Sequence, residues 1–283
     1  MCKLKVDVAT SILKKGYLDT PGGQIHYCEE GSGDALILLH QSGRSIDDFV
    51  ELIPTLAQEH RVVAMDSINF GESYKTKEPP SIEDCAQSVK LLLQGLNLGK
   101  ASILGHHTGA LIAIEVAAAD PSLVDKLILC GPPYVNQEVS QYLRGFEKES
   151  RERARIKSDG SHYLDLWKHF TKNGMGLEWA SPAIISRWVL DILRAGDTGT
   201  YGQIMVSNYL KMENRLSLVK SPTLIIWGSR DFATFPSIAK HLISEGIKRS
   251  KVVELEGGSI FIMQQMPERI SQIVLEFLSD PGV

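Results

Sequence analysis

The sequence lacks the features that mark secreted, membrane-spanning and zinc-binding proteins. Its four cysteines have no CxxC spacing and no nearby histidine cluster: Cys2, Cys28, Cys85 and Cys130. We therefore expect free thiols in a reducing compartment, with no metal site. No apolar run approaches the roughly 20 residues that span a bilayer, and the N-terminus has no signal-peptide core. These absences predict a cytoplasmic protein without a membrane partner.

The sequence also lacks an excess of charge of either sign. The 30 Lys and Arg residues and 34 Asp and Glu residues give a formal net charge of −4, with no basic stripe. This balance argues against nucleic acid as a partner. Hydrophobic residues make up 43% of the 283 positions, which is ordinary for a folded globular chain. We expect a small apolar molecule as partner, no cofactor, and either a monomer or a homodimer.

Short apolar segments alternate with longer amphipathic ones along most of the chain. The apolar segments predict strands at 23–31, 34–40, 60–66, 101–106, 125–131, 221–228 and 250–257. Helical spacing occurs between most of them, at 82–96, 109–119, 239–246 and 267–278. Near-continuous apolar strands separated by helices indicate an α/β fold with a mostly parallel sheet flanked by helices.

This alternation stops between about residues 132 and 219. The segment has no convincing strand, and it carries three of the four tryptophans. A helical insertion of this size predicts a cap over the strand ends, where α/β sheets bind ligands. We therefore expect a core of residues 1–132 and 220–283 and a helical cap of residues 133–219. A plain helical subdomain, with the tryptophans used for packing, is the alternative.

Five motifs occur in a familiar order: LILLHQSG, VVAMDSINFGES, ILGHHTGA, LIIWGSRD and ELEGGSIFIMQQMPERISQIVLEFL. Together they resemble the capped branch of the α/β-hydrolase fold, from Gly16 to Leu278. The resemblance implies a central sheet whose loops, at the carboxyl ends of the strands, carry a catalytic site. Each residue of that site has to be argued separately, because one fold supports many functions.

The turn Gly105-His106-His107-Thr108-Gly109 matches the family's nucleophile elbow, G-x-nucleophile-x-G. Flanking glycines suit a strained turn whose helix passes close to neighbouring strands. His107 stands at the nucleophile's position. Thr108 lies one residue past the tip, and we do not expect it to act as a nucleophile.

Of the other two positions of the family's catalytic triad, one matches the family's residue and one does not. By the resemblance, Asp231 is the acid that orients a catalytic histidine, whereas the position of that histidine falls on Ile260. No histidine follows His241, so no neighbour supplies the base. We expect the apolar Ile260 to separate the elbow from Asp231. An ordinary serine-hydrolase mechanism, and its variants with Asp at the elbow, are therefore not available.

The resemblance also predicts how the surrounding loops contribute. The backbone N–H groups of Gln41 and Thr108 would form an oxyanion hole. Gln41 replaces the glycine that is usual there, so we expect its amide to reach into the pocket. A wider set of side chains is expected to contact the substrate: His40, Gln41, His106, Ile260, Phe261, Trp167 and Trp188.

Three hypotheses for function remain. The favoured one is an atypical enzyme in which His107, with Asp231, is a general acid or base. Its substrate would be a small, largely apolar carbonyl, ester or lactone compound, which undergoes hydrolysis or a lyase, isomerase or cyclase step. The second is a catalytically inactive small-molecule binding protein or scaffold. The third is a structural module whose pocket is filled by its own side chains: Gln41, His107, Ile260, Phe261 and Met263.

Overall fold

The computed structural model describes residues 13–145, 152, 155–172, 177–231 and 236–281. One sheet contains eight strands, β1 to β8, which span Lys14–Thr20, Gly23–Glu30, Ala35–Leu39, Arg61–Met65, Ala101–His106, Val124–Cys130, Thr223–Gly228 and Ser250–Leu255. The described helices, α1 to α11, span Ile53–Leu56, Ile82–Gly95, Thr108–Ala119, Gln137–Gly145, Ser161–Thr171, Pro182–Ala195, Tyr201–Asn208, Met212–Leu216, Pro236–Gly246, Ile262–Gln265 and Pro267–Ser279. Short 3₁₀ segments span Ile46–Phe49, Pro121–Leu123 and Gly196–Thr200.

The strand order in the sheet is β1-β2-β4-β3-β5-β6-β7-β8. Strand β2 pairs antiparallel with β1 and β4, and every pair from β4 to β8 is parallel. The predicted α/β fold with a mostly parallel sheet flanked by helices is confirmed, as are the seven predicted strands and four predicted helices. The parallel strands bring their carboxyl ends, and the loops that follow them, to one edge of the sheet.

Strand β1 was not among the predicted strands. Its residues alternate between exposed and half-buried positions, so the strand has no apolar run to reveal it. It pairs with β2 along its whole length, in a hairpin whose closing pair is Thr20 and Gly23. Backbone pairing, rather than burial, therefore defines this strand.

Two apolar clusters cover the two faces of the sheet. Side chains alternate between the faces along each strand, so Ile37 and Leu39 belong to one cluster and Leu36 and Leu38 to the other. Helices α2 and α3 cover the first face, and α1 and α11 cover the second. A capping box at Ser81 fixes the start of α2.

The described residues of the insertion between β6 and β7 form helices joined by turns and contain no strand. Helices α5 and α6 form a third apolar cluster around Trp188, which includes Phe261 from the loop after β8. Helices α7 and α8 instead join the cluster of α2 and α3 through Met205 and Met212. The division into a core (1–132, 220–283) and a cap (133–219) stays a prediction, and two helices of this insertion, α7 and α8, pack as part of the main core.

The cysteines within the described residues are buried free thiols: Cys28, Cys85 and Cys130. Burial raises the pKa of Cys28 and of Cys85 to about 12, which keeps both thiols protonated and unreactive at neutral pH. Cys2 lies outside the described residues. None of the described helices has the length and apolar character needed to cross a bilayer.

Candidate active site

The elbow has the strained geometry that its sequence predicts. Strand β5 ends at His106, helix α3 begins at Thr108, and His107 between them has φ 48° and ψ −108°. A Cβ on Gly105 would lie 2.3 Å from the carbonyl oxygen of Gly109. A Cβ on Gly109 would lie 2.0 Å from the carbonyl oxygen of Leu39. Both glycines are therefore required, because helix α3 starts in direct contact with β3 and β5.

His107 is hydrogen-bonded to Asp231, with 2.7 Å between Nε2 and Oδ2. The expectation that Ile260 separates these residues is wrong. Gly131, at the end of the intervening strand β6, leaves the space for the contact: its Cβ would lie 2.7 Å from both His107 Nε2 and Asp231 Oδ2. The histidine on the elbow therefore reaches across β6 to the acid that follows β7.

The contact with Asp231 determines which nitrogen of His107 can exchange protons. A carboxylate accepts hydrogen bonds, so Nε2 carries the proton and Nδ1 keeps its lone pair. Nδ1 makes no hydrogen bond within the described part of the chain, and His107 lines a cavity. In the usual triad the acid holds Nδ1 and Nε2 acts as the base. In this chain the acid instead contacts Nε2, because the ring is carried by the elbow.

His106 forms a second His–Asp pair directly behind the first. Its Nδ1 lies 2.7 Å from Asp48 Oδ2, and both side chains are almost completely buried. Gln264 donates to the same carboxylate at 2.9 Å. Burial alone would raise the pKa of Asp48, but His106 and Arg44 hold it well below its ordinary value. Asp48 is therefore ionised at neutral pH, and the pair anchors the loop after β3 in the interior of the protein.

Two cavities lie above the carboxyl ends of the strands. The larger has a volume of about 260 Å³, and the smaller about 190 Å³. Four residues line both: Gln41, Ser42, Gln203 and Ile260. Phe261 lines the larger cavity, whereas His107 and Thr108 line the smaller one. The third hypothesis expects side chains to fill the pocket. Four of those side chains, Gln41, His107, Ile260 and Phe261, instead line open space, and the fifth, Met263, is buried in the core.

Four residues that we expected at the substrate line neither cavity. His40 is held on both sides, since Nε2 accepts from the Ser67 N–H at 2.9 Å and Nδ1 donates to the Gln41 carbonyl at 2.8 Å. His106 is hydrogen-bonded to Asp48 through Nδ1. Trp188 stacks on Phe261 with 4.0 Å between ring centroids, and Trp167 packs against the same cluster. These contacts hold the four side chains behind the walls of the two cavities, and their contact with substrate stays a prediction.

The predicted oxyanion hole also needs correction. The Gln41 N–H donates to Asp48 Oδ2 at 3.4 Å, so it points into the protein. The Gln41 side chain does reach across the site, where its amide donates to the Ile260 carbonyl at 3.2 Å. Thr108 begins helix α3, and the first N–H groups of a helix have no acceptor within it. The structure thus turns the Gln41 N–H away from the predicted oxyanion hole and leaves the amino end of α3, at Thr108, beside the smaller cavity.

Sequence reasoning missed several residues of the site. Ser42 lies within the LILLHQSG motif and Arg44 directly follows it, and this proximity was a usable signal. Gln203 lies in α7 with nothing in its local sequence to single it out. Gly131 directly follows an apolar strand, where a glycine is typical of an ordinary turn. The contribution of the last two depends on which elements meet in space.

The chain belongs to the α/β-hydrolase family. Residues 34–264 match the family described as alpha/beta hydrolase fold, and the sheet order, the elbow and the position of Asp231 agree with that membership.

Individual relatives are distant. The chain is 26% identical over 256 residues to a Pseudomonas putida protein, the dihydrolipoyllysine-residue acetyltransferase component of an acetoin cleaving system, and covers 64% of its length. It is 23% identical to epoxide hydrolase 1 of Caenorhabditis elegans, with 93% of this chain and 70% of that protein aligned. Among solved structures, the enol-lactonase of Burkholderia xenovorans superposes with a TM-score of 0.77 at 20% identity, covering 94% of this chain and all of that one. This level of similarity establishes the fold.

Proposed function

We propose that the protein is an α/β-hydrolase-fold enzyme that works without a serine nucleophile and uses His107 as its general acid and base. The observation that carries this proposal is the 2.7 Å hydrogen bond between His107 and Asp231 beside the smaller cavity. Both partners are almost buried, with side-chain exposures of 8% and 3%. A carboxylate in this position stabilises the charged imidazolium that forms when the histidine accepts a proton.

The proposed step is a proton transfer to Nδ1 of His107. The proton comes either from a carbon next to a substrate carbonyl or from a water that attacks an activated ester or lactone. In the first reaction the electron pair of the broken C–H bond moves to the carbonyl oxygen and forms an enolate. The amino end of α3, at Thr108, stabilises that negative charge. The imidazolium then returns the proton to the product.

The cavities suit a small and mostly apolar compound. Ile260, Phe261 and Phe170 contribute apolar surface to the larger one, and Pro133, Val139 and Leu143 contribute to the smaller. Known relatives offer parallels for the chemistry. A 20% identical protein of Acinetobacter baylyi is an (E)-2-((N-methylformamido)methylene)succinate hydrolase, and the Burkholderia neighbour is an enol-lactonase.

Two probe reactions test the proposal with the whole chain. Hydrolysis of 4-nitrophenyl acetate reports water activation, and deuterium uptake next to the ketone of butyrophenone in D₂O, followed by NMR, reports carbon deprotonation. Replacing His107 with Ala should lower the catalysed rate by about 10²–10⁴-fold, the usual contribution of a general base. Circular dichroism should show that the fold is intact.

The matched control is His241→Ala, because His241 is 70% exposed and lies on a remote helix. This variant should keep the wild-type rates. Equal rates for the His107→Ala variant and the wild-type protein would overturn the proposal. Binding of a compound with no turnover over long incubation would instead favour the second hypothesis, a binding protein.

A further inference from the structure

Arg44 is a buried cation beside the larger cavity. It lines that cavity, and its residue is only 4% exposed. None of its guanidinium nitrogens has a hydrogen-bond partner among the residues that the structure describes. A buried charge without hydrogen bonds is costly, so the group requires a further partner.

Two other polar groups of the same cavity share this property. Thr200 Oγ1 and Gln203 Oε1 are buried and have no hydrogen-bond partner within the described residues, and both residues line the larger cavity. Arg44 offers several N–H donors, Thr200 offers an O–H donor, and Gln203 offers an acceptor. Three unsatisfied groups that converge on one open space are typical of a binding site for a polar ligand.

The two carboxylates near Arg44 leave its donors unused. Asp48 Oδ1 lies 3.7 Å from Arg44 Nε, and the Asp48 carboxylate is hydrogen-bonded to His106 and Gln264 instead. Asp191 Oδ2 lies 3.3 Å from Arg44 Nη1, but the two groups are not aligned for a hydrogen bond. Burial raises the pKa of Asp191 to about 6 in spite of Arg44 and of the Ser45 hydroxyl that donates to it. Asp191 therefore balances part of the charge and satisfies none of the donors.

We propose that Arg44, with Thr200, forms a carboxylate-binding subsite, and that the substrate is an apolar carbonyl compound that carries a carboxylate. The planar guanidinium matches a carboxylate through two parallel N–H donors. Gln41, Ser42, Gln203 and Ile260 line both cavities, so the cavities are adjacent, and the proposed ligand lies across them from Arg44 to His107. This inference rests on the proposed function, which defines the end of the substrate that reacts at His107. It adds that the other end of the substrate carries a negative charge.

Calorimetry with a matched pair of ligands tests the subsite. The acid is 4-benzoylbutyrate, a phenyl ketone that carries a carboxylate on a short chain, and the neutral counterpart is butyrophenone, the same ketone without the carboxylate. The wild-type protein should bind the acid more tightly by about tenfold or more, the expected gain from hydrogen bonds to a charged group.

Three variants test which residues cause the preference for the acid over the ketone. Arg44→Gln should lose the preference for the acid and keep the affinity for the ketone. Thr200→Val, which removes only a hydroxyl, should weaken acid binding by about fivefold. Asp191→Asn should strengthen acid binding, because it removes a negative charge beside Arg44, and a misfolded variant cannot produce that gain. The control is Arg61→Gln, since Arg61 begins β4 at the opposite end of the sheet and pairs with Glu29.

Binding of the acid no tighter than the ketone would overturn the proposal. So would an unchanged acid affinity in both Arg44→Gln and Thr200→Val. If Arg44→Gln does not fold, the opposite shifts expected in Thr200→Val and Asp191→Asn decide the question. The catalytic proposal is tested separately: His107→Ala should keep the preference for the acid while it loses deuterium exchange at the ketone.

Discussion

Two consecutive histidines form the same contact in two different environments. His106 and His107 each lie 2.7 Å from a carboxylate, and their rings meet edge to face with 5.0 Å between centroids. The side chains of His106 and Asp48 are 1% and 0% exposed, whereas His107 borders an open cavity. Successive side chains on β5 lie on opposite sides of the strand. The elbow then places His107, the residue that follows the strand, at the wall of the cavity. One residue of separation therefore distinguishes a pair enclosed in the core from a pair beside a cavity.

The comparison shows that a His–Asp distance alone does not identify a catalytic dyad. Asp48 also receives hydrogen bonds from Gln264 and Gln41, so its charge is fully used within the protein. In the other pair, Nδ1 of His107 has no hydrogen bond within the described part of the chain, and His107 lines a cavity. The position of the histidine beside a cavity is the property that separates the two pairs.

The largest expected effect is a difference in stability between the two histidine deletions. His106→Ala leaves the Asp48 carboxylate buried without its partner, which should cost about 3–5 kcal/mol in the free energy of unfolding. His107→Ala should cost only about 1 kcal/mol, because water entering the cavity can solvate Asp231. Urea unfolding of both variants measures the difference. Equal losses would show that the two pairs are not distinguished by burial.

The next effect is on turnover, and it separates the two acids. Asp231→Asn removes the charge that stabilises protonated His107, so kcat/KM for 4-nitrophenyl acetate should fall by about 10²-fold, at the lower end of general acid–base contributions. Asp48→Asn, a change of the same size in the buried pair, should leave the kcat/KM of the folded protein almost unchanged. A larger loss of turnover in Asp48→Asn than in Asp231→Asn would reverse the assignment of roles.

A smaller effect is the contribution of Asp48 to stability as the pH falls. The pKa of Asp48 is held below its ordinary value, so its ionised form stabilises the folded state. This stabilisation is complete above about pH 4, the ordinary pKa of an aspartate, and is lost as the pH falls towards the lowered pKa. The stability difference between wild type and Asp48→Asn should therefore be largest at pH 7 and shrink between pH 4 and 2. A difference that grows on acidification would contradict this direction.

The sequence predicted the parts of this molecule that depend on local order along the chain. The seven apolar strands, the elbow with its glycines and the position of Asp231 could all be recognised from short motifs. The assignment of Ile260 to the position of the family's catalytic histidine stays a prediction. These features depend on residues that are close in sequence, where periodicity and turn chemistry act directly.

The parts that failed depend on contacts between distant segments. Ile260 was expected to separate His107 from Asp231, but the gap that matters is the missing side chain of Gly131 on a third strand. Likewise, the N–H of Gln41 was expected to face the substrate, and it is used by Asp48 instead. Sequence spacing does not specify which partner a polar group finds after folding, because the candidates come from several loops at the same sheet edge.

The smallest expected effect concerns Ser42, the hydroxyl that lines both cavities. Its Oγ lies 2.6 Å from Thr108 Oγ1. Within the described part of the chain, neither hydroxyl is hydrogen-bonded to a base that could activate it for nucleophilic attack. Ser42→Ala should therefore keep the wild-type kcat/KM, and a fluorophosphonate probe should leave the intact mass of the wild-type protein unchanged. Stoichiometric labelling that disappears in Ser42→Ala would make Ser42 a nucleophile activated by His107. The dyad would then be two members of a rearranged triad, and the pair behind it, His106 and Asp48, would keep its structural role.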